Sequence, residues 1–268
     1  MKLGIGSYTY MWSIGFPGAQ PAVPMDALGL LRKAHELGLL VVQFGPNLSL
    51  SELGERQLLA IVDYARDAQI ELEIGTRGLN IQHLRAQLEL AARLDCKLLR
   101  TVPELDDGSV PTAAALVDSL DKIIPDLERH HIRLALENGN LPSQDLAGAL
   151  DALGCRWIGV TLDTANSLAI PEGTRQVVKN LARHTMSFHV KDFAVERVWH
   201  RMGFVVEGRP AGRGQMDLPW ILRELQCTKV DSNAILELWP PQQADIQATV
   251  ALEQEWAKES IRYLRQYI

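Results

Sequence analysis

Four side chains that could bind a metal ion stand at the ends of four apolar runs in the chain. They are Glu137, Asp163, His189 and Glu237, separated by 26, 26 and 48 residues. The first follows Leu-Ala-Leu and precedes the turn sequence Asn-Gly-Asn, which is typical of the end of a buried strand. In parallel α/β folds such strand ends meet at one rim, where the four side chains could converge.

Three carboxylates and one imidazole make an oxygen-rich site that suits Mn²⁺, Mg²⁺ or Co²⁺. Such a site suits Zn²⁺ less well, because structural zinc prefers sulfur and nitrogen ligands. Alone, each acid could instead cap the following helix, and His189 could be a core histidine bonded to a carbonyl. Four such residues on consecutive strands favour a metal, because carboxylates at a half-buried rim repel one another and a divalent cation relieves the repulsion.

The elements that would position these residues alternate regularly along the chain. Apolar β-type runs end in polar or glycine-rich stops and are followed by helical patterns, such as the recurrence of apolar residues from Ile81 to Leu94. A last helix is predicted from about Ala244. The eight predicted strands are Leu3–Ser7, Leu40–Phe44, Glu71–Ile74, Lys97–Val102, Arg133–Glu137, Trp157–Asp163, Ser187–Asp192 and Ala234–Leu238.

Eight strand–helix units without a linker or a change in composition predict a single (β/α)8 TIM barrel over residues 1–268. A doubly wound open sheet is the alternative. It is disfavoured because no glycine-rich phosphate fingerprint follows the first strand.

One segment, residues 193–217, interrupts this alternation. Its length of about 25 residues exceeds the usual two to six residues of a βα connection. The segment is rich in glycine and basic residues and follows directly on the strand that carries His189. We therefore predict a long loop over the active-site mouth, with a solvated excursion as the alternative.

Composition and charge exclude several classes of function. The chain has 27 Lys and Arg against 33 Asp and Glu, a net charge of −6 that disfavours nucleic acid as a partner. No apolar run reaches the roughly 18 residues of a membrane span. Three widely spaced cysteines, Cys96, Cys155 and Cys227, predict inert thiols rather than disulfides. Because the N-terminus shows no signal-peptide pattern, we expect a cytoplasmic location.

Five short motifs carry a resemblance to a known family over nearly the whole chain. They are Leu-Glu137-Asn, Thr-Leu-Asp163-Thr, Phe-His189-Val-Lys-Asp192, Gly212-Arg-Gly214-Gln-Met-Asp217 and Leu-Glu237-Leu-Trp. The chain thereby resembles the xylose isomerase-like TIM barrels, which include sugar and sugar-phosphate isomerases and epimerases, inosose dehydratases and endonuclease IV. The resemblance implies that Glu137, Asp163, His189 and Glu237 are metal ligands, and that Glu137 and Glu237 are the catalytic acid–base pair.

Three positions depart from the ketose epimerases of that family. Asn166 stands where those enzymes share a histidine, Ser143 where they often have a glutamate, and Val195 where they have an arginine. All three family residues are expected to hold the sugar around its carbonyl. The sequence therefore predicts a retained metal core with a changed set of substrate contacts.

The residues predicted to bind substrate are mostly cations near the rim. They are Tyr8, Arg77, Arg100, Asn166, Lys191, Arg201 and Arg209. Several cations at the mouth fit an anionic sugar acid or sugar phosphate, bound by charge-assisted hydrogen bonds. Arg100 could instead lie inside the barrel and pair with an acid. Tyr8 could pack under the rim, and the arginines of residues 193–217 could be solvated.

Two enzymatic hypotheses follow. The first is a metal-dependent isomerase or epimerase of a small carbohydrate, in which the metal stabilises an enediolate and the two glutamates move the proton. The second is a lyase, either a 3-oxo sugar acid decarboxylase or a dehydratase, that uses the same enolate stabilisation. A repair nuclease and a non-catalytic sugar-binding barrel are disfavoured by the charge and by the intact ligand set. A homo-oligomer is possible.

Overall fold

A computed structural model describes residues 1–268 as a closed barrel of eight parallel strands. The barrel strands are β1 (Leu3–Gly6), β2 (Val41–Phe44), β3 (Glu71–Arg77), β4 (Leu98–Val102), β5 (Arg133–Glu137), β6 (Ile158–Asp163), β7 (Thr185–Val190) and β10 (Asn233–Leu236). They pair in chain order, and β10 lies between β7 and β1 and closes the ring. The predicted (β/α)8 barrel is therefore confirmed.

The helices that surround the barrel follow the predicted amphipathic patterns. They are α1 (Met11–Ile14), α2 (Ala27–Glu36), α3 (Glu55–Asp67), α4 (Ile81–Arg93), α5 (Ala113–Asp121), α6 (Ile124–His130), α7 (Ser143–Leu153), α8 (Thr174–Leu181), α9 (Leu218–Cys227) and α10 (Ile246–Leu264). In α4 the residues Leu84, Leu88 and Ala91 are buried against the barrel. Asp217 caps the N-terminus of α9 and accepts a hydrogen bond from the Trp220 backbone N–H at 3.2 Å, which satisfies a free N–H group of the first turn.

Two regions bury side chains, one outside and one inside the ring of strands. A continuous apolar core lies between the strands and the helices. The barrel interior is partly polar and holds Gln43, Glu73 and Arg100. Gly75 makes room for the last of these, because a Cβ at that position would lie 3.0 Å from the Arg100 guanidinium. This glycine lets an arginine lie across the barrel below the rim.

Residues 193–217 do not form the predicted loop throughout. Most of the segment belongs to an antiparallel hairpin of β8 (Asp192–Arg197) and β9 (Phe204–Arg209). Each strand of the hairpin carries a short β-type run, Phe-Ala-Val and Phe-Val-Val, and the turn between them includes a left-handed residue, Arg201 (φ 61°). The backbone groups of the long connection are therefore satisfied by pairing with each other.

Several strand ends also shift from their predicted places. β7 begins at Thr185 and ends at Val190, so Lys191 lies between β7 and the hairpin. β3 continues to Arg77, and Glu237 follows the last residue of β10. None of the helices is both long and apolar enough to cross a bilayer.

Candidate metal centre

The four predicted metal ligands come together at the C-terminal rim of the barrel. Glu137 and Asp163 are the last residues of β5 and β6, and His189 is the last but one of β7. Strand register places Asp163 beside His189. His189 Nδ1 lies 3.3 Å from Glu237 Oε1, 3.7 Å from Glu137 Oε1 and 3.8 Å from Asp163 Oδ2. All four side chains are buried.

The polar atoms of this site fit a divalent cation. His189 Nδ1 is buried and has no hydrogen-bond partner, although three carboxylates face it. One ligand atom each from Glu137, Asp163 and His189 lies within 4.8 Å of the others. Buried polar atoms are seldom left unpaired, and an imidazole nitrogen among carboxylates has the donor set that Mg²⁺ and Mn²⁺ accept. Glu237, the fourth predicted ligand, lies outside that group of three but has the shortest distance to the imidazole.

Two cations, the buried Arg100 and the partly buried Lys191, contact the same carboxylates. Lys191 Nζ lies 2.6 Å from Asp163 Oδ2 and 2.9 Å from Glu237 Oε2. Arg100 Nη1 lies 3.1 Å from Glu137 Oε2 and donates to the Thr76 carbonyl at 3.3 Å. Arg100 therefore lies inside the barrel and pairs with an acid, which was the alternative to substrate binding. It also reaches the rim.

The charges displace the pKa values of this cluster. Burial alone would raise the pKa of Glu137, but Arg100, His189 and Lys191 together lower it below the usual range. Burial would lower the pKa of His189, yet the facing carboxylates, Glu237 first, raise it to about 9. The pKa of Lys191 is likewise raised, because Asp163 and Glu237 outweigh its burial. A metal ion bound at His189 would therefore have to displace a proton from the imidazole.

Asn166, at the position of the epimerase histidine, links the two halves of the cluster. Its amide donates to Glu137 Oε1 at 2.7 Å and accepts from Lys191 Nζ at 3.3 Å. Its backbone N–H donates to Asp163 Oδ1 at 3.0 Å. The amide therefore orders a metal ligand and a cation at once.

A cavity of about 620 Å³ opens above the cluster. Five of the predicted substrate-binding residues line it: Tyr8, Arg77, Arg100, Asn166 and Lys191. The lining also includes apolar residues, among them Met11, Val206 and Trp239. Burial raises the pKa of the Tyr8 phenol, which keeps it a neutral hydrogen-bonding group at the cavity wall. Arg77 pairs with Glu104 at the outer edge.

The other two predicted substrate-binding residues lie outside the cavity. Arg201 is exposed at the turn of the hairpin, where its carbonyl accepts a hydrogen bond from Arg197. Arg209 is held by Glu196 and Glu207 at 2.7 and 3.0 Å. The hairpin reaches the cavity through the apolar side chain of Val206 instead.

The other two departures from the epimerases serve the framework. Ser143 is buried, and its hydroxyl donates to Glu172 Oε1 at 2.8 Å. Val195 lies on β8, where its backbone N–H donates to Gln215 Oε1 at 3.0 Å. Neither residue lines the cavity.

Asp192 connects the hairpin to the metal-site strand. Its carboxylate accepts from the backbone N–H groups of Phe193, Gly212, Gly214 and Met216 at 2.9–3.1 Å. A Cβ at Gly214 would lie 2.1 Å from Asp192 Oδ1, so only glycine fits there. The close approach to the carboxylate explains Gly214, whereas Gly212 has φ +84° and would bring a Cβ within 2.5 Å of the Tyr263 ring.

Two polar residues below the centre were not singled out from the sequence. Gln43 Oε1 lies 2.8 Å from His189 Nε2, and Gln43 Nε2 donates to Glu73 Oε2 at 2.8 Å. For Glu73 the signal is the alternation on β3, where Glu71 and Glu73 alternate with the buried apolar residues Leu72 and Ile74. That alternation places both acids on the inner face of the barrel.

Comparisons with known proteins agree with this fold. The model of a family described as xylose isomerase-like TIM barrel matches residues 30–267. The 3-oxo-isoapionate decarboxylase of Pectobacterium atrosepticum is 29% identical over 265 residues, which cover 98% of this chain and 95% of that protein.

Two solved structures are similar over almost their full length. The D-psicose 3-epimerase of Clostridium cellulolyticum H10, solved with D-tagatose, has a TM-score of 0.74 at 14% identity and covers 100% of this chain and 99% of its own. A xylose isomerase-like TIM barrel protein of Mycobacterium smegmatis, solved with magnesium, has a TM-score of 0.68 at 12% identity, with coverage of 98% and 97%. At such identities the likeness shows the fold alone.

Proposed function

This chain belongs to the xylose isomerase-like TIM barrel family, and we propose that it is a divalent-metal-dependent lyase that decarboxylates a 3-oxo sugar acid. The family membership confirms the resemblance inferred from the motifs. The sequence motifs alone favour an isomerase or epimerase over a lyase. The two cations at these carboxylates, Arg100 and Lys191, support the reverse order, as does the activity of the decarboxylase relative.

The charge count at the site is the observation that carries the proposal. Glu137, Asp163 and Glu237 contribute three negative charges, and Lys191 and Arg100 contribute two positive charges. A divalent cation with a neutral His189 brings the sum to +1 (−3 + 2 + 2). A net positive cavity favours an anionic substrate, whereas a neutral ketose gains nothing from it.

Decarboxylation assigns distinct tasks to the residues of the site. When bound, a divalent cation supplies a Lewis acid that offsets negative charge on the 3-oxo oxygen. The four predicted ligands would hold it, with Mn²⁺, Mg²⁺ or Co²⁺ preferred over Zn²⁺. Arg100 orients the substrate by its charge. As the bond to the carboxylate breaks and CO₂ leaves, its electron pair remains on the substrate as an enolate. The Lys191–Glu237 pair, 2.9 Å apart, then delivers a proton to carbon.

A substrate panel tests the proposal directly. Enzyme stripped with EDTA and reloaded with Mn²⁺ is incubated with 3-oxo sugar acids, and CO₂ release is measured. We expect release from at least one of these acids, and loss of release after Glu237→Gln. Glu89→Gln, on the exposed face of α4, is the matched control and should leave the rate unchanged. Absence of CO₂ with every 3-oxo acid contradicts the lyase.

The isomerase or epimerase is the second candidate, because both predicted proton carriers, Glu137 and Glu237, face the same buried imidazole. Incubation of neutral ketoses in D₂O distinguishes the two. Deuterium at the carbon next to the carbonyl, without CO₂ from any acid, supports the isomerase. Unimpaired turnover in both Glu137→Gln and Glu237→Gln removes both enzymatic assignments and favours a sugar-binding barrel.

A further inference from the structure

A chain of hydrogen bonds runs from the metal centre into the barrel interior. His189 Nε2 lies 2.8 Å from Gln43 Oε1, and Gln43 Nε2 donates to Glu73 Oε2 at 2.8 Å. Asn233 Nδ2 donates to the other oxygen, Glu73 Oε1, at 2.8 Å. The four residues come from β7, β2, β3 and β10, so the chain crosses the barrel from one side to the other.

The two donors to Glu73 set the direction of each hydrogen bond between His189 and Glu73. Glu73 accepts on both carboxylate oxygens, which is the pattern of an ionised carboxylate. Gln43 must therefore turn its NH₂ group toward Glu73 and its oxygen toward His189. An amide oxygen only accepts, so His189 Nε2 must carry the proton. In the neutral imidazole Nδ1 then carries the lone pair.

We propose that Gln43 and Glu73 are positioning residues that hold His189 in the tautomer needed for a metal at Nδ1. The inference rests on the metal site of the proposed function, but not on the reaction that the site performs. Nδ1 is the atom that faces the three carboxylates and lacks a hydrogen-bond partner. Neither positioning residue lines the substrate cavity, so both act through His189.

The burial of Glu73 calls for such an explanation. The residue is only 3% exposed, inside a barrel whose inner layers are ordinarily filled by branched apolar side chains. Burial raises the pKa of Glu73, and the hydrogen bonds from Asn233 and Gln43 oppose that rise. A carboxylate one amide away from a ligating histidine fixes its orientation and increases its basicity, as the direct carboxylate–histidine pairs of metal sites do.

The replacement Glu73→Gln tests the directional role with almost no change of volume. A glutamine at position 73 can present its NH₂ group to Gln43. The Gln43 amide can then turn over, with its oxygen toward position 73 and its NH₂ toward His189 Nε2. That turn moves the imidazole proton to Nδ1. We expect the dissociation constant for Mn²⁺, measured by calorimetric titration with MnCl₂, to rise by roughly 10- to 100-fold.

The double variant Gln43→Glu/Glu73→Gln supplies the rescue. It exchanges the amide and the carboxylate, so that position 43 again accepts from His189 Nε2 and position 73 again accepts from Asn233. Charge, volume and the number of hydrogen bonds are conserved, and we expect Mn²⁺ affinity close to the wild-type value. The control is Asp126→Asn, a buried acid on the distant helix α6 that pairs with Arg85 and Arg129. It should leave the affinity unchanged.

Nitrogen NMR of the wild-type protein loaded with Zn²⁺, a diamagnetic probe, reads the tautomer without any substitution. We expect a slowly exchanging proton on His189 Nε2 and a metal-shifted Nδ1. A proton on Nδ1, or Mn²⁺ binding by Glu73→Gln equal to that of the wild type, overturns the positioning role alone. Failure of the wild-type protein to bind Mn²⁺ overturns both this inference and the metal site of the proposed function.

Discussion

Replacing Lys191 by methionine should destabilise the metal-free protein and strengthen its binding of a divalent cation. The ammonium lies 2.6 Å from Asp163 Oδ2 and 2.9 Å from Glu237 Oε2, and the side chain is 16% exposed. Methionine keeps an unbranched side chain and removes the charge. Removing one partner of a buried ion pair costs about 3–5 kcal/mol. The lower value applies here because solvent reaches part of the lysine.

Metal binding should recover much of this loss. A divalent cation among the same carboxylates replaces the missing charge, so the metal-loaded variant should lose less stability than the metal-free variant. By thermodynamic linkage, the difference between these two losses of stability equals the gain in metal-binding free energy. Each 1.4 kcal/mol corresponds to a tenfold change in the dissociation constant. We expect Mn²⁺ affinity to increase about 10- to 100-fold. Turnover of a 3-oxo sugar acid should fall by about 10²–10⁴, because the proton source is lost.

Thermal unfolding in EDTA and calorimetric titration with MnCl₂ measure the two effects. A loss of about 3 kcal/mol lowers the Tm of a chain of this size by roughly 6–12 °C. Lys179→Met, on the exposed face of α8, should change neither quantity. Unchanged stability of the metal-free variant, together with unchanged or weaker Mn²⁺ binding, would refute the assignment of Lys191 as the counter-ion of Asp163 and Glu237.

Three further substitutions give separate readouts. Arg100→Met removes the cation 3.1 Å from Glu137, so the pKa of Glu137 should rise and the KM for an anionic substrate should increase about 30-fold, equivalent to about 2 kcal/mol. Asp192→Asn weakens four backbone hydrogen bonds, and unfolding in urea should show a loss of about 2–4 kcal/mol with faster amide exchange at Gly212. Glu253 is buried, and burial raises its pKa from 4.5 to about 7 despite bonds from Ser13 and Trp12. Its protonated form therefore stabilises the fold below pH 4.5, and about 3 kcal/mol is lost as the pH rises to 7. Urea unfolding of Glu253→Gln at several pH values should lack this fall in stability between pH 4.5 and 7. An identical fall in the wild type and the variant would contradict the role of Glu253.

The strand ends could be predicted from sequence because that step needs only local signals. An apolar run, an acidic or histidine end and a turn are enough to place Glu137, Asp163 and His189 at one rim, once the strands are parallel. Errors of two or three residues in strand bounds did not matter. The side chains lie at the C-terminal end of each run whichever residue begins it.

Long-range pairing could not be predicted in the same way. The positions of Arg201 and Arg209 depend on the register of β8 with β9, which pairs residues 7 to 17 places apart through their backbones. The relay from Gln43 to Glu73 depends on which strands lie side by side in a closed ring. A polar residue inside a predicted strand is normally assigned to the solvent face. Only the closed barrel turns that face inward.

The surroundings of Glu137 bear on the choice between lyase and epimerase. Its Oε2 faces Arg100 and its Oε1 accepts from Asn166 at 2.7 Å, so both oxygens are engaged in the cluster. Burial would raise its pKa, but Arg100 and His189 lower the pKa below the usual range. A carboxylate held ionised in this way is a weak acceptor of a carbon-bound proton, because proton transfer is most efficient when the pKa of the base is near the working pH. An epimerase must both remove a proton and return one, so it needs two such carriers. Decarboxylation removes no proton from carbon and returns a single one, so it needs one proton carrier in place of two. The replacement of the epimerase histidine by Asn166 thus changes more than a substrate contact, since it restrains one of the two acids on which epimerisation depends.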